Sequence, residues 1–480
     1  MKKIVKSKFS DHDVAPIRLP LWVGIGLAGL LAVAIIALGL ISVSVMERRW
    51  EAQRPMMVVT PLAPWESDNA KWGQNYPRQY EAYQKTRITD TQTKFGGSVP
   101  RDYLEDYPTQ VILFAGYGFS KDYLQARGHY YALEDVSSSK RLAQPFQAAT
   151  CWTCKSSDVP RVMNAMGAAE FYAGNFYDLK GEMTHALGCL DCHDPETMRL
   201  RISRPALKEA FAAQGKDISQ ASVQEMRSLV CAQCHVEYYF AKEPKNYLTL
   251  PWKDGLSVEG MIDYFDRIHF SDYIHPISKT PVIKSQHPDY ELYTKGIHAY
   301  RNVACADCHT PYRSEGGVKF TDHHVQSPLL NIANSCAVCH RWSEDEIRTR
   351  VETIQTTVAD AMLAAEVALV QAHFDIAAAM QAGASDEALT PLRTLLRHAQ
   401  FRWDFISSSN GMGFHAPQES MRVLGDATNQ AQQVRILAAR LLAKHGVTDA
   451  PNYPDTSTRQ KAFDVAQAFV NNTPVRLIKQ

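Results

Sequence analysis

Net charge is absent from this 480-residue sequence, in which 51 acidic side chains balance 51 basic ones. The overall balance therefore gives no reason to expect a nucleic-acid or polyanion partner. Strand signals are sparse too, which points away from an all-β architecture. The composition, 45% hydrophobic and 21% charged, is that of an ordinary globular protein, and the length suffices for one large or two modest domains. Charge is also missing from the run Leu21 to Met46. At about 1.5 Å per residue that run can cross a hydrocarbon core roughly 30 Å thick. Ahead of it Lys2, Lys3, Lys6, Lys8 and Arg18 outnumber Asp11 and Asp13, as in a cytoplasmic start, while Arg48, Arg49 and Arg54 beyond it blur the rule. No Ala-x-Ala-like cleavage site follows, and the run exceeds the about 7–15 apolar residues of a secretory signal core. A retained anchor is expected, with a cleaved signal as its rival; either way most of the chain is exported.

No cysteine is left over. The ten cysteines form five pairs, each separated by two residues: Cys151/Cys154, Cys189/Cys192, Cys231/Cys234, Cys305/Cys308 and Cys336/Cys339. A disulfide framework or zinc knuckles would account for the cysteines alone, and a chain this long has no need of staples to fold. Four pairs run directly into a histidine, His193, His235, His309 and His340. That is the attachment signature of c-type haem: two thiols make thioethers to the porphyrin, and the adjacent imidazole is placed to ligate iron. Histidine is missing after the first pair, where the sequence reads Cys151-Trp152-Thr153-Cys154-Lys155. A primary amine binds iron only when deprotonated, so a lysine there implies a metal and surroundings that keep it neutral. The alternative is a degenerate site that has lost its histidine.

An electron-transfer haem is normally six-coordinate, whereas a catalytic haem needs an open position. Four proximal histidines would call for four distal partners, and thirteen other histidines are available. Those in the amino-terminal tail or in helix-like carboxy-terminal sequence, such as His12, His373, His398 and His445, read as surface or packing residues.

With these motifs in order, and with Glu237-Tyr238 after the third haem and Lys284-Ser285-Gln286-His287 beyond, the sequence resembles the ammonia-forming pentahaem cytochrome c nitrite reductases from about Gly116 to past His415. The resemblance implies that the Lys155 haem keeps an open face for nitrite, surrounded by Arg141, Tyr238 and His287, with Lys140 one position from Arg141. It implies a calcium ion held by Glu237 and Gln286 and by the carbonyls of Tyr238 and Lys284. It also implies distal ligands His129, His298, His323 and His415 for the third, fifth, second and fourth haems, with His324 adjacent to His323, and leaves His185, His269 and His275 as structural or surface residues. Chemically the trio suits its task. Reducing nitrite to ammonium takes six electrons and eight protons, so the pocket must attract an anion, brace it with fixed donors, and supply protons from groups such as an imidazole that ordinarily titrates near neutral pH. The family implies a homodimer formed through long helices, against which stands a monomer packing them internally. It implies a quinol-oxidising membrane haem protein or small multihaem donor as partner, and a place on the periplasmic side of a bacterial inner membrane. A membrane-anchored electron-transfer cytochrome, or a reductase of hydroxylamine or sulfite, are the rival functions.

The expected fold is mainly α, a multihaem cytochrome with five haems forming the core, little β, long carboxy-terminal helices and one amino-terminal transmembrane helix. Along the chain this divides into a cytoplasmic tail (1–20), the anchor (21–46), a polar linker and wrapping segment (47–110), the pentahaem region (111–345) and a long-helix region (346–480). Helical spacing is clearest over Arg204 to Ala213, Ser222 to Leu229, Val351 to Ala382 and Gln418 to Leu442.

Overall fold

The computed structural model describes residues 20–53, 58–142 and 147–479, with the side chains of 48–53 outside the description. The expected cytoplasmic tail ahead of residue 20, with its basic residues, lies outside the described residues, as do Arg54 and the side chains of Arg48 and Arg49. The chain divides into two units, residues 1–59 and 60–480. In the first, a single helix spans Leu21–Gln53, and its apolar side chains, among them Leu30, Ile35, Leu38 and Ile41, are exposed along its length. A helix that is apolar all round finds its stable surroundings in hydrocarbon rather than water.

The second unit is mainly helical and, among the described residues, has three two-stranded antiparallel sheets: Tyr239–Ala241 with Tyr247–Thr249, Tyr273–Ile274 with Pro281–Val282, and Tyr312–Glu315 with Val318–Thr321. Three long helices, Glu344–Gln381, Asp386–Ser407 and Pro417–Lys444, pack on one another. The first starts where its sequence dictates. Ser343 Oγ accepts from Glu346 N, Glu346 Oε2 accepts from Ser343 N, and Glu344, Asp345 and Glu346 place negative charge on the positive end of the helix. Small buried residues such as Ala365, Ala368 and Ala372 on this helix, with Ala427, Ala431 and Ala438 on the third, let the backbones approach closely, and Phe114, Phe374 and Trp403 fill the remaining space.

The segment expected as a linker holds helices, among them Asn69–Asn75 and Pro77–Gln84, with Trp72 fully buried. They lie on the second cysteine pair: Cys189 N donates to Asn69 Oδ1 at 2.9 Å, and Tyr83 OH donates to the Leu187 carbonyl at 2.9 Å. A Cβ at Gly188 would come within 2.0 Å of Asn69 Oδ1, so only glycine admits this approach.

A candidate multihaem centre

Each histidine motif is a local fold in its own right. The amides of His193, His235 and His340 donate back to the carbonyls of Cys189, Cys231 and Cys336, all at 2.9 Å, which turns both thiols of a pair to one side of a single helical turn. In the second and fourth pairs an aspartate caps that turn: Gly188 N donates to Asp191 Oδ2 at 2.7 Å and Ala304 N to Asp307 Oδ2 at 2.8 Å. Lys155 differs, since its amide donates to the Trp152 carbonyl at 2.9 Å. All ten thiols are free of disulfides.

Cys339 is exposed, as are Val338 and His340 on either side of it, whereas the other nine cysteines are partly buried. The reason is local packing. The fifth motif leans on a small apolar cluster of Leu329, Ile332, Ile347 and Val351, separate from the main core, and Cys336 is the cysteine of the pair that packs against it. Four side chains are too few to cover both thiols. The fifth pair thus packs against a cluster of its own, with Cys339 as its more exposed thiol.

Across from the motif histidines stand the histidines expected as their partners. Ring centroids lie 6.3 Å apart for His193 and His323, 6.4 Å for His309 and His415, and 6.3 Å for His298 and His340. Two imidazoles binding one metal through bonds of about 2 Å each leave centroids roughly 6 Å apart, so the residues present fit haem iron between them. His129 lies close enough to His235 for the charge of that ring to disfavour its own, and His324 lies near Lys85. A ligand imidazole must be neutral. Burial supplies that condition, pushing His129, His193 and His309 down to about 4.

The pairs adjoin one another. The Cys154 thiol lies beside that of Cys234, and Cys231 beside Cys305, so the third pair adjoins both the first and the fourth. Arg204, fully buried, ties the first pair to the second by donating to the Thr153 carbonyl at 2.7 Å, the Ser156 carbonyl at 2.9 Å and Asp191 Oδ1 at 2.6 Å. The first pair is further fixed by Trp152, stacked on Phe176 with centroids 3.8 Å apart and donating from Nε1 to the Phe176 carbonyl at 2.9 Å. An arginine in a run such as Arg199 to Arg204 carries no spacing signal, and sequence reading passed over it.

Around the first pair four expected side chains come together. Lys155 and Arg141 both act electrostatically on Cys151, Arg141 and both thiols of the pair act on Tyr238, and Lys155 acts on His287. Arg141 lies over Phe119 at 4.4 Å and is steadied by Ser139 Oγ at 3.0 Å and Asp122 at 3.5 Å, whereas Lys140 is exposed. Burial holds the Tyr238 phenol well above its ordinary range, which keeps its proton available for donation. Burial holds His287 well below its ordinary value. The imidazole is thus neutral, a donor on one nitrogen and an acceptor on the other, rather than a group titrating near neutral pH. Its buried Nδ1 has no hydrogen-bond partner, so the ring is free to engage a small molecule.

Beside this cluster, Glu237 Oε2 accepts from Ser285 Oγ at 2.8 Å and Gln286 N at 2.6 Å, while the buried Oε1 has no partner. The Gln286 side-chain amide lies 3.1 Å from the Lys284 carbonyl. Burial pushes the Glu237 carboxyl well above the carboxylate range. An unpartnered carboxylate oxygen among an amide and a carbonyl fits a hard cation, whose charge would restore the ionised form. The set is further fixed by Asp404, absent from the sequence reading: its Oδ2 accepts from Ser285 N at 2.8 Å and its Oδ1 from Lys284 Nζ at 2.9 Å.

The chain is 48% identical over 452 residues to a cytochrome c-552 of Parabacteroides distasonis, covering 93% of this chain and 91% of the relative. Its identity to a cytochrome c-552 of Aliarcobacter butzleri is 42% over 451 residues, 90% of this chain and 89% of the other. Among solved structures it resembles the cytochrome c nitrite reductase of Desulfovibrio desulfuricans, a catalytic subunit with two calcium sites, at a TM-score of 0.76 and 29% identity over 85% of this chain and 90% of that one. The family model for cytochrome c552 matches residues 68–476, and with haem motifs and facing histidines in place the chain belongs to the cytochrome c552 family.

Proposed function

We propose that this protein reduces nitrite to ammonium at the haem on Cys151 and Cys154, with Lys155 as proximal ligand. The observation that carries the reading is the gathering of Arg141, Tyr238 and His287 around that one pair, while three of the other four pairs adjoin motif histidines that face imidazole partners and the remaining one, His235, has His129 nearby. When bound, the first haem supplies an iron with one open position and the electrons that reach it from the other four. Arg141 binds the nitrite oxygens with fixed donors and offsets the charge that develops as the N–O bonds break. Tyr238 donates a hydrogen bond and His287 passes protons as a neutral donor–acceptor, for a balance of six electrons and eight protons per nitrite giving ammonium and two waters.

Glu237, Gln286 and the carbonyls of Tyr238 and Lys284 hold a calcium ion that fixes Tyr238 and His287 at their stations. His129, His298, His323 and His415 complete the coordination of the third, fifth, second and fourth haems. The helix Leu21–Gln53 stays attached as an anchor on the periplasmic side of the inner membrane. Copies pair through the long helices, and electrons arrive from a membrane haem protein.

Replacing Tyr238 by Phe and His287 by Asn tests the site. Each variant is expected to keep five attached haems and to lose on the order of 100-fold in nitrite turnover, the usual size of a proton-transfer contribution. Undiminished turnover in both would remove these residues from the site.

A further inference from the structure

Ligand imidazoles are oriented and made more or less basic by whatever their second nitrogen meets. His193 Nδ1 lies 2.9 Å from the Met198 carbonyl, His309 Nδ1 3.1 Å from the Gln326 carbonyl, and His323 Nδ1 3.0 Å from the Thr321 carbonyl. His235 Nδ1 instead lies 3.3 Å from Asp289 Oδ2. Among the described residues it is the one motif histidine with a carboxylate partner. That carboxylate is built in: Asp289 is buried, with Asn410 N donating to Oδ1 at 2.8 Å and Asn410 Nδ2 to Oδ2 at 2.7 Å. Tyr290 N, next along the chain, donates to the His235 carbonyl at 3.0 Å and locks the two segments together. A carboxylate draws the Nδ1 proton more strongly than a carbonyl does, leaves more negative charge on the ring, and so favours ferric over ferrous iron.

The place of this histidine in the chain of haems gives the contact a consequence. Its cysteine pair adjoins both the first pair and the fourth, so an electron travelling from the fourth haem to the first crosses the third. We propose that Asp289 is a positioning residue that, acting through His235, keeps the third haem at a lower reduction potential than the haems whose histidines meet carbonyls. One electron that arrives there is then passed on and not stored. The inference rests on the assignment of haem to the cysteine pairs and is independent of nitrite as substrate.

Spectroelectrochemical titration of the five-haem protein tests it. Asp289→Asn keeps the size of the side chain and removes its charge. It is expected to raise the potential of one low-spin haem by about a tenfold change in its reduction equilibrium, 59 mV for a one-electron couple. Asn410→Ala removes a donor from Oδ2, leaves that oxygen to His235, and is expected to lower the potential of the same haem; it carries the test should the first variant fail to assemble. Potentials unchanged in an assembled variant, or a rise in the alanine variant, would overturn the proposal. Because the titration needs no nitrite, a failure of ammonium formation and a failure of this inference are read separately.

Discussion

Glu237 shows how a single side chain carries two tasks. Its Oε2 fastens the Ser285–Gln286 segment, and its buried Oε1, without a partner, is the oxygen that would face the proposed cation. Glu237→Gln keeps the shape but weakens a hard-cation site by one charge, so the purified variant is expected to hold less than one calcium per chain by elemental analysis, with the parent holding one or more. Two other buried groups set an acid limit. His275 and His373 stack with centroids 3.7 Å apart; His373 bonds Gln400 Oε1 at 2.7 Å and Ser278 Oγ at 2.8 Å, and His275 Nε2 bonds the Ile112 carbonyl at 2.8 Å. Burial pushes His373 down to about 4 and His275 well below its ordinary value. Between about pH 6.5 and 4 the unfolded chain therefore binds more protons than the native one. The stability contributed by these neutral rings is complete above about pH 6.5 and lost as pH falls through 4. His373→Gln is expected to lose less denaturant resistance than the parent between pH 7 and 5, by up to about 2 kcal/mol. At this scale the haem cysteines and motif histidines were legible because adjacency in sequence is adjacency in space. Asp289, Asp404 and Arg204 were not legible, since each acts on a partner 13 to 120 positions away. The paired rings of His275 and His373, 98 residues apart, were readable only as surface or packing residues for the same reason.

The long helices were the most legible elements, because a period near 3.6 survives whatever they pack against. Even so, the helix Glu344–Gln381 begins seven residues before its apolar pattern does, at a cap written in Ser343 and Glu346. Ser343→Ala is expected to cost about 1 kcal/mol locally, seen as faster amide exchange over the first turn with the centre of the helix unchanged. The wrapping segment behaved in the opposite way. Its helices Asn69–Asn75 and Pro77–Gln84 are short and mixed in pattern, and what orders them is contact with residues about a hundred positions on, including the carbonyl of Leu187 and the amide of Cys189. Local pattern cannot report such contacts. The same limit hid the capping aspartates at the third position of two motifs, whose meaning depends on the turn they close.

For the molecule as a whole, the apolar helix Leu21–Gln53 and the haem-bearing unit answer to different solvents. The first was legible from the absence of charge alone. If it is retained, intact mass measurement of the membrane-extracted protein is expected to include residues 21–46, whereas a mass lacking them would establish cleavage. In the proposed function the haem-bearing unit works by arrangement: the four cysteine pairs with histidines form a route, and the pair with Lys155 ends it. Electron counting tests that division of labour most directly. Purified protein supplied with a reduced dye and limiting nitrite is expected to release one ammonium for every six electrons consumed. Dye oxidation without ammonium, or no nitrite-dependent oxidation at all, would contradict it.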